Sequence, residues 1–168
     1  MNGADTTQKS TTGAFADVAG NQPKLTRIAV AGEYMAGIGL AANFTRSDAV
    51  VVSASPYLVM ISAVGNPEQF DPSVDTTAFY QDIVDTGGPL TTIVRLRDFF
   101  VVFQRSGVYV IEQNPDPAIK WQIRCVSDYF GCEWPDSVIE VNNVIYWISP
   151  TRSGEVCAFD GSQITVLS

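Results

Sequence analysis

The 168 residues include no histidine, three cysteines and eighteen acidic side chains. Without an imidazole, neither a Ser-His-Asp nor a Cys-His nucleophile can be assembled within the chain. The thiols Cys125, Cys132 and Cys157 form no C-x-x-C pair and number one short of a tetrahedral zinc set, so they read as core-filling side chains. Two acidic pairs, Asp82 with Asp85 and Glu133 with Asp136, have the residue types of a glycosidase acid and nucleophile. They fall in polar, loop-like sequence with nothing nearby to raise one pKa, and solvated carboxylates are the simpler reading. Asp71, Asp75, Asp82 and Asp85 could line a weak calcium site but lack the regular spacing of an EF-hand loop. Gly37 and Gly39 lie in a strand pattern with no helix behind them, so they form no phosphate loop. The expectation is a protein that is not an enzyme and binds no cofactor or metal.

The aromatic residues offer a different chemistry. Trp121, Trp134, Trp147, Tyr129 and Tyr146 are the types that stack on sugars. Trp147 sits within an apolar strand, where core packing is its default. Trp134 precedes Pro135 in a loop and is the best candidate for an exposed anchor. The expected interface residues are Trp134, Tyr129, Phe130 and Phe70.

Charge and composition narrow the partners. A net charge of −8 and a pI near 4.3 oppose long-range attraction to a nucleic-acid backbone. An acidic channel that lets DNA slide past remains compatible with them. No stretch reaches the roughly 20 apolar residues of a membrane span, and the first residues lack the basic and apolar regions of a secretory signal. Residues 1–22 are rich in Thr, Ala, Gly and Asp, without periodicity, and are expected to form a flexible arm that a neighbouring subunit could order.

From Pro23 onward the sequence alternates short apolar runs with turn residues. KLTRIAVA and YMAGIGLAA flank Gly32-Glu33, a hairpin signal. The apolar run 49–64 divides at Ser53–Pro56 into two expected strands, AVVVSA and YLVMISAV. A short strand is expected near 79–84. LTTIVRLR, FFVVFQ, VYVIEQ and WQIRCVS follow, bending at Arg97-Asp98, at Ser106-Gly107 and at the NPDP stretch from Asn114. After a crossing from Tyr129 to Pro135 come SVIEV, VIYWIS, EVCAFD and QITVLS, with turns at Asn142-Asn143, Ser153-Gly154 and Asp160-Gly161.

Parts of this pattern recur. LTRIAVAGEY from Leu25 matches LTTIVRLRDF from Leu90, and RSGVYVIE from Arg105 matches RSGEVCAF from Arg152. Units of four short antiparallel strands at such intervals are the signature of propeller blades, which bury their apolar faces only by stacking. The expected fold is all-β, with blade-like units near 23–86, 87–130 and 131–168 in a partial or oligomer-completed β-propeller. The alternative is a single β-sandwich or barrel of about twelve strands.

The order of motifs resembles a known family. ISAVGNPEQFDP from Ile61 to Pro72 precedes a Gly-Gly-Pro, a strand pair, a Ser-Gly-Val-Tyr strand, a Trp-bearing strand, a Gly-Cys and a closing FDG turn. This order is similar to the propeller-type virion proteins of tailed bacteriophages, the tail nozzle or tail-tube protein and the phage stabilisation or head-completion family, over about Pro23 to Ser168. Members of that family are longer and carry more blades. The resemblance implies a structural subunit in the virion, at the tail or head-to-tail junction, that forms a ring extending or plugging the DNA channel. Its implied partners are further copies of itself and other tail or connector proteins, with at most passive contact with DNA and none with a membrane. A carbohydrate- or receptor-binding module at the tail tip is the alternative function.

Overall fold

The structure, a computed structural model, describes residues 22–85, 87–116, 119–150 and 154–167. The expected N-terminal arm lies outside the described residues except for Gln22, as does Ser153 of one expected turn. Fourteen strands and one short 3-10 turn, Pro135–Ser137, make up the regular structure of the described residues.

Twelve of the strands form three four-stranded antiparallel sheets, each a meander in chain order. The first contains β1 (Leu25–Ala31), β2 (Tyr34–Leu40), β5 (Ser55–Ile61) and β6 (Phe79–Asp82). The second runs through β7 (Leu90–Leu96), β8 (Phe99–Gln104), β9 (Val108–Gln113) and β10 (Trp121–Ser127). The third comprises β11 (Ile139–Val141), β12 (Val144–Ser149), β13 (Glu155–Phe159) and β14 (Ile164–Val166). The matched segments occupy equivalent places: Leu25 and Leu90 each open the first strand of a sheet, and the second match falls on third strands β9 and β13.

Turn chemistry sets these registers. Asn142 and Asn143 both take positive φ, 53° and 62°, as a two-residue hairpin of the primed type requires. Gly32 takes φ 58° between β1 and β2, and Arg97 takes φ 56° at the matching place between β7 and β8.

Between β2 and β5 the chain makes an excursion, the two-residue strands β3 (Phe44–Thr45) and β4 (Val51–Val52). The expected strand AVVVSA is thus only Val51–Val52. Ala49 turns the chain at φ 66°, and the Asn43 side chain accepts a hydrogen bond from the Ala54 amide at 2.8 Å, ending the ladder. Pro56 lies inside β5, in the stretch between the Leu40–Ser55 and Ile38–Val59 pairs where the register shifts. A strand tolerates a residue without an N–H at such a bulge.

The sheets are layered in sequence order, three layers where a sandwich has two. Between the first and second lies a core that includes Ile38, Val59 and Ile61 from one side and Ile93, Phe100, Val102 and Ile111 from the other. Tyr34 and Trp121 meet there edge to face, ring centroids 4.9 Å apart. Between the second and third lies a core of Val101, Phe103, Val108 and Val110 against Ile145, Trp147, Cys157 and Phe159. Phe103 and Trp147 meet across it at 5.2 Å. Each fully buried side chain of this size contributes roughly 1.5–3 kcal/mol by leaving water. β8 and β9 alternate which core they feed residue by residue, and this is why they are apolar throughout. The first strands of the first two sheets, β1 and β7, are the most closely packed pair between sheets.

Candidate interface

The acidic residues are held singly. Asp82 accepts a hydrogen bond from the Ser55 hydroxyl at 2.8 Å, and Asp85 accepts one from the Tyr109 hydroxyl at 2.7 Å. Burial, followed by the Asp85 carboxylate, pushes the Tyr109 phenol well above its usual range. Glu133 faces Arg105 at 3.5 Å and Asp136 faces Arg27 at 3.2 Å, both pairs near the surface. The two expected acid pairs are therefore each divided between separate partners.

Asp71 and Asp75 organise loops. Asp71 is nearly enclosed and accepts from the Ser73 amide at 2.8 Å, the Ser73 hydroxyl at 2.6 Å and the Ser47 amide, with Arg46 at 3.5 Å. Burial alone would raise its pKa, but the hydrogen bonds from Ser73 and Ser47 outweigh it and hold the carboxyl below the ordinary range. Asp75 caps Thr77 in the same way, through its amide at 2.8 Å and its hydroxyl at 2.6 Å. Among the described residues no three His, Cys, Asp or Glu side chains gather where they could hold a metal ion. Nor is any helix of the described residues long and apolar enough to cross a membrane.

Of the expected interface aromatics, three share the segment that crosses from the second sheet to the third. Trp134 is 48% exposed, while its carbonyl accepts from the Ser137 amide at 2.9 Å, the Ser137 hydroxyl at 2.7 Å and the Cys132 thiol at 3.1 Å. A rigid backbone thus holds an indole half in solvent. Tyr129 is also exposed and meets the Phe130 ring edge to face at 5.3 Å. Phe130 itself packs against the second core and supports Tyr129 from below. Phe70 is a correction. It is only 3% exposed and fills a third cluster with Phe44, Val52, Met35, Leu58 and Met60. The β3–β4 excursion and the loop around Phe70 fold over the back of the first sheet, so this ring belongs to the interior. Trp121 and Trp147 are likewise buried, leaving no stacked platform of tryptophans.

Sequence reasoning did not single out an apolar face of the third sheet. The pairs Ile139–Tyr146, Val141–Val144, Tyr146–Ala158 and Ile148–Val156 put these seven residues on one face of the third sheet, with Thr165 opposite Ala158. This face points away from the second sheet, because Ile145, Trp147, Cys157 and Phe159 take the other side. Ile139, Val141 and Ile148 are exposed, with Val144, Tyr146 and Val156 half-buried, and no charged side chain lies among them. The sequence signal was present in VIYWIS, which is apolar on both faces, a pattern of strands covered on both sides.

A second feature runs along the first strands. A groove of about 490 Å³ is lined by Ile28, Ile93, Arg95, Arg97, Glu140 and Asn143, among others. Its charges are mixed, with Arg95 and Arg97 opposed by Glu140. No family model matches the chain, and no curated protein matches it.

Proposed function

We propose that the chain is a structural, non-catalytic subunit of a tailed-bacteriophage virion, located in the tail or at the head-to-tail junction, whose three sheets are blades of a propeller-like arc. The observation that carries the assembly part of this reading is the uncharged apolar face of the third sheet, Ile139, Val141, Tyr146 and Ile148, which no other sheet of the described residues covers. Exposed contiguous apolar surface rimmed by polar residues marks a site of protein association. Placement in a phage particle rests on the order of motifs from Ile61 to the closing FDG turn. The groove beside the first strands suits an axial channel, since its mixed charges offer phosphates no continuous grip. Mass spectrometry of density-purified particles tests the placement: the chain is expected at fixed stoichiometry with other tail proteins, and its absence from intact particles overturns the reading.

The half-exposed indole of Trp134 on its fixed turn favours one second reading, a glycan- or receptor-binding module at the tail tip. Binding on a glycan array that disappears in Trp134→Ala would support it. A silent array would count against it.

A further inference from the structure

We infer that the open face of the third sheet receives the back of the first sheet of a second copy of this chain, so that two chains close a ring of six sheets. The inference deepens the assembly reading above and rests on it. It begins from register. In each sheet, the last residue pair before the first hairpin turn faces the sheet that follows. In the first sheet that pair is Ala31–Tyr34, which packs into the core shared with the second sheet. In the second it is Leu96–Phe99, which packs into the core shared with the third. In the third it is Val141–Val144, and it faces solvent. This open face is thus the forward face of the last sheet among the described residues, and it continues two interfaces the chain has already built.

The opposite end of the stack offers a counterpart. On β1, Ile28 and Val30 pair with Gly37 and Met35 and so lie on the back of the first sheet, where they are 51% and 52% exposed. The β3–β4 excursion and Phe70 cover that back over Met35, Leu58 and Met60 but leave the β1 side open. Contact through first strands is also how the chain joins its own sheets, with β1 packed closely on β7. A forward apolar face at one end and a backward one at the other make a heterologous contact, which closes when the rotation per sheet allows. Three sheets from each of two chains give six, inside the usual four to eight blades of a propeller. Each contact is modest, but in a ring the second forms within an already joined pair and gains from high effective concentration. The forward face carries no charge, so two chains of net charge −8 bring no like-charged side chains into that side of the contact.

Cysteine trapping tests this directly. Val141→Cys and Val30→Cys are each placed in a Cys125→Ser background, which removes the exposed thiol and leaves the two buried ones. Under mild oxidation, an equimolar mixture of the two single variants is expected to form cross-linked dimer at least tenfold above either variant alone. Native mass spectrometry of the unmodified chain is expected to show a species of twice 18.2 kDa. Ile148→Glu, at a solvent-exposed position, is expected to shift that species to monomer, with a melting temperature matching that of the unmodified chain at dilutions where it too is monomeric. A monomer at every concentration overturns the proposal. So does cross-linking of Val141→Cys with itself, which would mean a face-to-face pair, and so does a ladder of species beyond the dimer. A chain present in particles but monomeric in solution overturns the two-copy ring while leaving the structural role. A dimer in solution whose chain is absent from particles does the reverse.

Discussion

The indole Nε1 of Trp147 donates a hydrogen bond to the Gly131 carbonyl at 2.9 Å, from a position almost wholly out of solvent. This bond ties the third sheet to the segment that crosses from the second, and both residues are buried. Trp147→Phe removes the donor and opens a gap beside Phe103. The expected loss is about 2–4 kcal/mol of folding stability, read from urea unfolding with an unchanged m-value.

Gly131 has a second constraint. A Cβ there would lie 2.2 Å from the Arg105 carbonyl oxygen and 2.4 Å from that of Gln104, both main-chain atoms that cannot swing aside. The Cys132 amide also donates to the Gln104 carbonyl at 2.8 Å, fixing the same approach. Gly131→Ala is therefore expected to destabilise by at least about 2 kcal/mol, with the loss concentrated in protection of the Cys132 amide during hydrogen exchange.

Acid should weaken the loop organised by Asp71. Its carboxyl titrates lower in the folded chain than the ordinary 3.8, so its contribution is fully present above that value and is lost as pH falls through the folded pKa. Asp160 behaves alike at the surface, where amides of Gln163 and Ser162 hold it to about 2. Stability is expected to fall between about pH 4 and pH 2. Asp71→Asn should flatten that fall and lower stability at pH 7 by about 1–3 kcal/mol. An unchanged acid slope in the variant would show that Asp71 does not drive it.

Two aromatics expected to act alike should separate on truncation. Phe70→Ala empties a site enclosed by Phe44, Val52 and Met60, with an expected loss of about 3–5 kcal/mol. Trp134→Ala removes a side chain half in water whose backbone bonds remain, with an expected change within about 0.5 kcal/mol. Thermal melts of the two variants side by side check this.

That contrast shows what could be read from residue order. The three meanders were legible because each hairpin carries its own turn chemistry, as at Asn142-Asn143, and because strand alternation is local. The match of Leu25 with Leu90 and of Arg105 with Arg152 located equivalent strands for the same reason. Phe70 was misjudged because its neighbours, Gln69, Asp71 and Pro72, are those of a surface loop; only the folding of the β3–β4 excursion over the first sheet buries it. The open face of the third sheet was missed for a related reason. Ile139, Val141, Tyr146 and Ile148 look like any buried strand residues until the layer order shows that, among the described residues, no further sheet packs on them. Layer order is a long-range property that no short window contains.

Arg97 gives the last test. It occupies the place of Gly32 in the matched hairpin and takes φ 56°, a conformation that crowds the Cβ of an L-residue by roughly 1–2 kcal/mol. The carbonyl of Arg97 accepts from Arg95 Nε at 2.8 Å, a bond any residue at 97 retains. Arg97→Gly relieves the crowding but gives the unfolded chain more freedom, which offsets about half of the gain. The expected net effect is a stabilisation of about 0.5–1 kcal/mol, or roughly 2–4 °C in Tm per kcal/mol for a chain of this size. Arg97→Ala keeps the Cβ and the strain, and should leave Tm within about 1 °C, since the guanidinium is exposed. A loss of stability in both variants would instead assign the side chain a holding role in the groove beside Glu140.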